Sequence, residues 1–131
     1  MENNNYLYSR LSSKIIQAFY KIYNTLGYGF LEKVYENALM IELNKANLIC
    51  QQQQHIDVLY EEQKVGDYFA DIIVEDKIII ELKAAEDLVP EHEAQLVNYL
   101  RATNMEVGLL LNFGKTPQHK RRVLTNEYKN Q

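Results

Sequence analysis

The sequence predicts an α/β or α+β domain in which a hairpin sheet is flanked by helices. Three observations carry that expectation. Apolar residues recur at steps of three and four over the first third of the chain, and near residue 55 the period changes to two. A β-branched run, Ile78-Ile79-Ile80, is then followed by one more helical and one more strand-like segment. The 131 residues suit a single domain, 1–131, with one core. Hydrophobic residues at 47% and charged residues at 24% are ordinary globular proportions, which sets disorder aside.

The first helix is expected over residues 9–26, where Leu11, Ile15, Phe19, Ile22 and Leu26 form one apolar face. Gly27 and Gly29 stop it and turn the chain. A second helix is expected over about 31–46, burying Leu31, Val34, Tyr35, Ala38, Leu39 and Leu43. The glutamine run 51–54 is expected to open a strand, in which Ile56, Val58 and Tyr60 alternate with His55, Asp57 and Leu59. After a turn at 61–63, residues 64–74 read as the next strand, and Glu75-Asp76-Lys77 is a break of hairpin-loop length. Ile78-Ile79-Ile80-Glu81-Leu82-Lys83 is consecutive in its isoleucines, so this strand should be central and covered on both faces. Pro90 precedes a helix expected over 91–103, with acids in its first turn and Arg101 near its end. Residues 107–113 make a short apolar strand. The tail 119–128 fits either an edge strand or a helix start.

Several function classes drop out at this stage. No run of about 18 apolar residues exists, so no membrane-spanning helix and no membrane partner is expected. The start of the chain lacks the basic-then-apolar order of a secretory leader. The lone Cys50 excludes an intramolecular disulfide and a cysteine-cluster zinc site, and no histidine pair has zinc spacing. A cytoplasmic location is the resulting expectation. A net charge of -4 argues against holding nucleic acid by bulk positive charge.

Chemistry concentrates in three clusters. Glu81 and Lys83 are two apart on one strand and share a face, and a turn at 75–77 would bring Asp71 opposite Glu81. Two carboxylates converging from neighbouring strands suit a hard divalent cation, and unpaired burial there would cost several kcal/mol per ion. A solvent-facing strand with a cross-strand ion pair is the plain alternative. In the second cluster, Glu32 and Tyr35 share a helical face just after Gly29, which would also arise from a well-capped helix with Tyr35 in the core. In the third, Gln95 and Tyr99 put an amide and a phenol on one helical face, able to contact phosphate or merely to pack on the sheet. Lys115, Lys120, Arg121 and Arg122 form the only dense basic patch, fit for phosphate contact or for solvation.

Together these segments resemble the GxxExxY family. Gly29, Glu32 and Tyr35 match its signature, and the likeness continues through Tyr68-Phe69-Ala70-Asp71, Ile80-Glu81-Leu82-Lys83-Ala84, the segment 90–95 and the segment 108–114. That family looks like a branch of the PD-(D/E)XK nuclease superfamily, although Ala70 stands where the superfamily motif has Pro. The resemblance implies a restriction-endonuclease-like core, a mixed central β-sheet flanked by helices in the order α-α-β-β-β-α-β plus an uncertain last element. It implies Asp71 as the metal-binding Asp, Glu81 and Lys83 as the (D/E)XK pair, and Glu32 as the first-helix acid. Gln95 and Tyr99 resemble the Gln-xxx-Tyr motif of the RecB-like exonuclease branch.

The implied activity is a metal-dependent nuclease hydrolysing phosphodiester bonds of nucleic acid, with DNA the expected substrate. Mg²⁺ or Mn²⁺ would be held by Asp71 and Glu81, with the Leu82 carbonyl and Glu32 assisting, and Lys83 would orient water or offset charge. Gln95, Tyr99, Tyr35, Lys120, Arg121 and Arg122 would contact substrate. The alternative is a catalytically inactive nuclease-fold protein that binds nucleic acid or a protein partner. A homodimer is left open. Assigning Glu32, Asp71 and Glu81 to one site leaves 18 - 3 = 15 acids against 14 bases, so the net charge does not exclude a nucleic-acid substrate.

Overall fold

A computed structural model describes residues 7–130. Residues 1–6 and 131, the ends of the expected 1–131 domain and much of the stretch read for a leader, lie outside the described residues. The elements are α1 (Ser9–Leu26), α2 (Glu32–Lys45), β1 (Cys50–Tyr60), β2 (Gln63–Val74), β3 (Ile78–Lys83), α3 (Pro90–Arg101), β4 (Val107–Phe113), β5 (Pro117–Val123) and α4 (Asn126–Lys129). The predicted α/β class and the mixed sheet flanked by helices are what the chain forms. Among the described residues no helix is long and apolar enough to cross a membrane.

The five strands lie in sequence order, β1-β2-β3-β4-β5. Only β3 and β4 run parallel, because α3 carries the chain back across the sheet between them. The other three pairings are antiparallel. The isoleucine strand β3 is central, and every residue from Ile78 to Leu82 is buried. Its parity divides the core in two. Ile78, Ile80 and Leu82 pack with Ile15, Phe19, Leu39 and Leu43 of α1 and α2. Ile79 packs on the other face with Leu96, Tyr99 and Leu100 of α3.

The open tail alternatives resolve into an edge strand, β5, followed by the single-turn α4. The prediction for α2 needs one correction: Leu31 and Val34 were expected in the core but are 80% and 40% exposed. Leu31 caps the helix with extended backbone rather than joining its face. Gly27 and Gly29, at φ 69° and 111°, make the turn between α1 and α2 in backbone space that side chains disfavour. Tyr35 then locks that turn. Its hydroxyl donates to the Gly27 carbonyl (2.7 Å) and accepts from the Phe30 amide (3.2 Å), while its ring stacks on Phe113 at 4.2 Å.

β1 and β2 are much longer than β3, and β2 pairs with β3 only from Ile72 to Val74. Most of the β1–β2 hairpin therefore projects beyond the sheet. Leu59, Tyr60, Val65, Tyr68 and Phe69 on it stay largely exposed, although their alternation is that of a half-buried strand.

Candidate active site

The carboxylates meet where β2 and β3 part company. The ladder runs Val74↔Ile78, Ile73↔Ile79, Ile72↔Ile80, and the next opposed pair is Asp71 with Glu81. Here side chains replace the backbone ladder. The Asp71 amide donates to Glu81 Oε2 at 2.8 Å, and the Leu82 amide donates to Asp71 Oδ2 at 2.8 Å. Each carboxylate thus reaches the opposite strand and holds the gap open at a fixed width.

The same residues have an irregular neighbour in β1. Pairing passes from Gln52↔Ile72 to Gln54↔Ala70, leaving out Gln53 opposite Asp71. Gln53 has φ 52°, a left-handed backbone that breaks strand alternation. Consecutive glutamines consequently point the same way. Gln52 Nε2 reaches Glu36 Oε2 at 2.7 Å, and Gln53 Nε2 bridges Glu36 Oε1 at 3.0 Å and Asp71 Oδ1 at 3.4 Å. Glu36 is 4% exposed and takes a further bond from Lys33 Nζ at 2.9 Å. Sequence reasoning passed over Glu36. Its spacing of four from Glu32, which puts both acids on one face of α2, was the available signal.

Asp71, Glu81 and Glu36 therefore gather at one opening, Glu32 adds its charge from further out, and the electrostatics follow. Burial and then the Asp71 charge push Glu81 up to about 8, with Lys83 the one cation opposing the rise. Burial, followed by repulsion from Glu36 and Glu32, also raises Asp71. Glu81 is 6% exposed, and neither acid forms an ion pair within 4.0 Å among the described residues. Such a donor set, hard oxygens with excess negative charge and little water, fits a divalent cation of the Mg²⁺ class.

Glu32 stands further out. It is exposed in the first turn of α2 and lines a cleft of about 690 Å³ with Gly29, Ala84, Glu86, Gly114 and Lys115. Its charge reaches Asp71 and Glu81, but the three carboxylates do not gather within 4.8 Å. Among the described residues, the group that does so is His55, Asp57 and Asp67 on the exposed hairpin. Lys64 already offsets part of its charge, lying 3.2 Å from Asp57 and 3.6 Å from Asp67.

On the α3 side, Gln95 Nε2 donates to the Tyr99 hydroxyl at 2.7 Å. Tyr99 is 5% exposed, and burial followed by the Glu81 charge raises its phenol. The two residues form one unit beside Glu81. Beyond Lys83, the loop is pinned by buried Asn112, whose amide bonds both the N–H and the carbonyl of Ala85 at 2.9 and 3.0 Å.

Two of the expected substrate contacts are engaged within the fold. Tyr35 is 0% exposed and its hydroxyl is committed to the Gly27–Phe30 turn, so it serves the loop. The Lys120, Arg121, Arg122 patch is divided by strand alternation. Arg121 faces α1 and donates to the Leu7 carbonyl and Ser12 Oγ, while Arg122 pairs with Glu93 of α3. Lys120, two residues before Arg122, shares its face of the strand and is exposed.

A family model described as the PD-(D/E)XK nuclease superfamily matches residues 9–123. The crystal structure of SSO0001 is similar in fold, with a TM-score of 0.55 at 18% sequence identity over 76% of this chain and 53% of that one. This chain thus spans about half the length of that protein. No curated protein matches the sequence.

Proposed function

The chain belongs to the PD-(D/E)XK nuclease superfamily, and we propose that it is a divalent-metal-dependent nuclease that hydrolyses phosphodiester bonds, DNA first, at the β2–β3 opening. One observation carries this reading: Asp71 and Glu81 face each other across the gap, both raised first by burial and then by neighbouring carboxylates (Asp71 acting on Glu81, Glu36 and Glu32 on Asp71), with Lys83 alongside. An acid pair left uncompensated at a sheet opening is costly unless a cation joins it.

Asp71 and Glu81 would hold Mg²⁺ or Mn²⁺, with the Leu82 carbonyl beside them and Glu32 at the outer side. When bound, the ion supplies positive charge against the scissile phosphate and acidifies water at neutral pH. Lys83 orients the attacking water and offsets charge on the phosphate oxygens. Water forms the new P–O bond, the bridging P–O bond breaks, and the departing alcohol takes up a proton. Gln95 and Tyr99 position the strand by hydrogen bonds to phosphate or base.

The test is cleavage of DNA and RNA with Mg²⁺ or Mn²⁺ by wild type, Asp71→Ala and Lys83→Ala. We expect activity only in the wild type, and equal activity in all three would reject the site. A second reading has its own support. The two carboxylates already satisfy one another's strand amides and Glu32 stands apart, as in a nuclease-fold protein that binds nucleic acid or a partner without cutting. Calorimetric titration with Mn²⁺ separates the two: binding lost in Glu81→Ala supports the nuclease, and no binding in wild type supports the inactive binder.

A further inference from the structure

The projecting hairpin and α3 enclose a second cleft of about 500 Å³ on the α3 face. Its apolar part is Val58, Leu59 and Ala102, and the rings of Tyr68 and Tyr99 meet in it with centroids 5.8 Å apart. Asn98 and Arg101 stand exposed at its mouth. Among the described residues no carboxylate lines it, whereas the cleft beside Glu32 also carries Glu86. A polyanion approaching the acid pair meets less repulsion along this route, and among the described residues Arg101 is the one charged residue lining it.

Tyr68 fixes the chemistry. It lies on β2 opposite Ile56, which packs in the same core cluster as Tyr99. Its ring is tilted 51° to that of Tyr99, so the two do not stack, and Tyr68 remains 46% exposed. A rigidly mounted aromatic ring with exposed surface, an apolar floor and amides nearby suits the π-face of a nucleobase. Bases in a duplex present only their edges in the grooves, because neighbouring bases cover their faces. β2 also sets the distance: Asp71 follows Tyr68 by three residues, roughly 10 Å of strand. Tyr99 makes the link to the acids: it lines the cleft beside Tyr68 and feels the Glu81 and Asp71 charges, so a base held at Tyr68 brings a nearby phosphate of its own strand toward the acid pair.

We infer that this cleft binds one unstacked nucleobase against Tyr68, so that the substrate is single-stranded DNA or a frayed end rather than intact duplex. The inference rests on the nuclease reading and names its substrate class. Arg101 takes a phosphate of the same strand, and Gln95 and Asn98 contact the base edge.

The probe is a phosphorothioate DNA oligonucleotide carrying 2-aminopurine and an anisotropy label, measured as a single strand and as a blunt duplex with Mn²⁺ present. The single strand should bind at least tenfold tighter, with the 2-aminopurine emission quenched. Tyr68→Ala should lose the quench and about tenfold in affinity, Tyr68→Trp should keep both, and Arg101→Gln should weaken binding but leave the quench. Tyr68 is half-exposed, so a folded Tyr68→Ala protein is expected, and circular dichroism checks it. Equal binding of duplex and single strand, or an unchanged quench in Tyr68→Ala, overturns the cleft assignment. It leaves the nuclease reading to the cleavage assay with Asp71→Ala. Binding of neither DNA overturns both.

Discussion

Glu81 holds its proton in the folded protein over a range in which the unfolded chain has lost it. Its ordinary value is 4.5, and the fold moves it to about 8. Between those values the native state binds the extra proton, so metal-free stability falls as pH rises, by at most about 1.4 kcal/mol per pH unit. Below the lower value both states are protonated and the effect vanishes. The Asp71 shift has the same sign. Urea midpoints in EDTA from about pH 5 to about pH 8 should therefore decline in wild type and flatten in Glu81→Gln, whose amide oxygen still accepts the Asp71 N–H. Parallel slopes in the two proteins would show that Glu81 is not the titrating group. Tyr35 makes the opposite kind of residue. Tyr35→Phe removes the partner of the Gly27 carbonyl and the Phe30 amide, so it should cost about 1–3 kcal/mol with DNA affinity unchanged. Weaker DNA binding at equal stability would return Tyr35 to the substrate surface.

At the scale of elements, the loop after β3 is the tightest constraint. A Cβ on Gly114 would lie 2.0 Å from the Ala85 carbonyl oxygen, a contact that forces backbone to move. Gly114→Ala should destabilise by about 1–3 kcal/mol in thermal unfolding. An unchanged Tm would mean the Asn112–Ala85 tether is slack. The helices and strands up to Phe113 were readable in advance from their apolar patterns, and the isoleucine run of β3 announced its burial on both faces, whereas the polar tail fitted two elements equally. The opposition of Asp71 and Glu81 followed from the same parity. What escaped was set by geometry that no period encodes. The left-handed Gln53 turns two successive glutamines toward Glu36, and hairpin length leaves Tyr60 and Phe69 outside the sheet that their alternation suggests. Leu31 looked apolar and periodic, yet a capping residue has no face to bury. The basic patch looked contiguous in one dimension, but a strand sends alternate residues to opposite faces.

For the whole molecule, a net charge of -4 and a divided basic patch leave little positive surface for DNA. Arg121 and Arg122 are engaged within the fold, which leaves Arg101 at the cleft and Lys120, on the Arg122 face of β5, for a strand bound there. Two phosphate contacts to a single strand give a slope of log K against log salt of about -1.4, far shallower than that of a protein that grips DNA by charge. Acids gathered at the β2–β3 opening also repel the backbone until a cation joins them. Affinity for single-stranded DNA should therefore be weak in EDTA and rise with Mn²⁺, and Asp71→Asn or Glu81→Gln should reduce that dependence by removing an oxygen donor that can ionise against the cation. Anisotropy titrations across a salt series, with and without Mn²⁺, measure both quantities together. A steep salt slope with no response to Mn²⁺ would mean that the strand is held elsewhere, on a basic surface outside the cleft between the hairpin and α3.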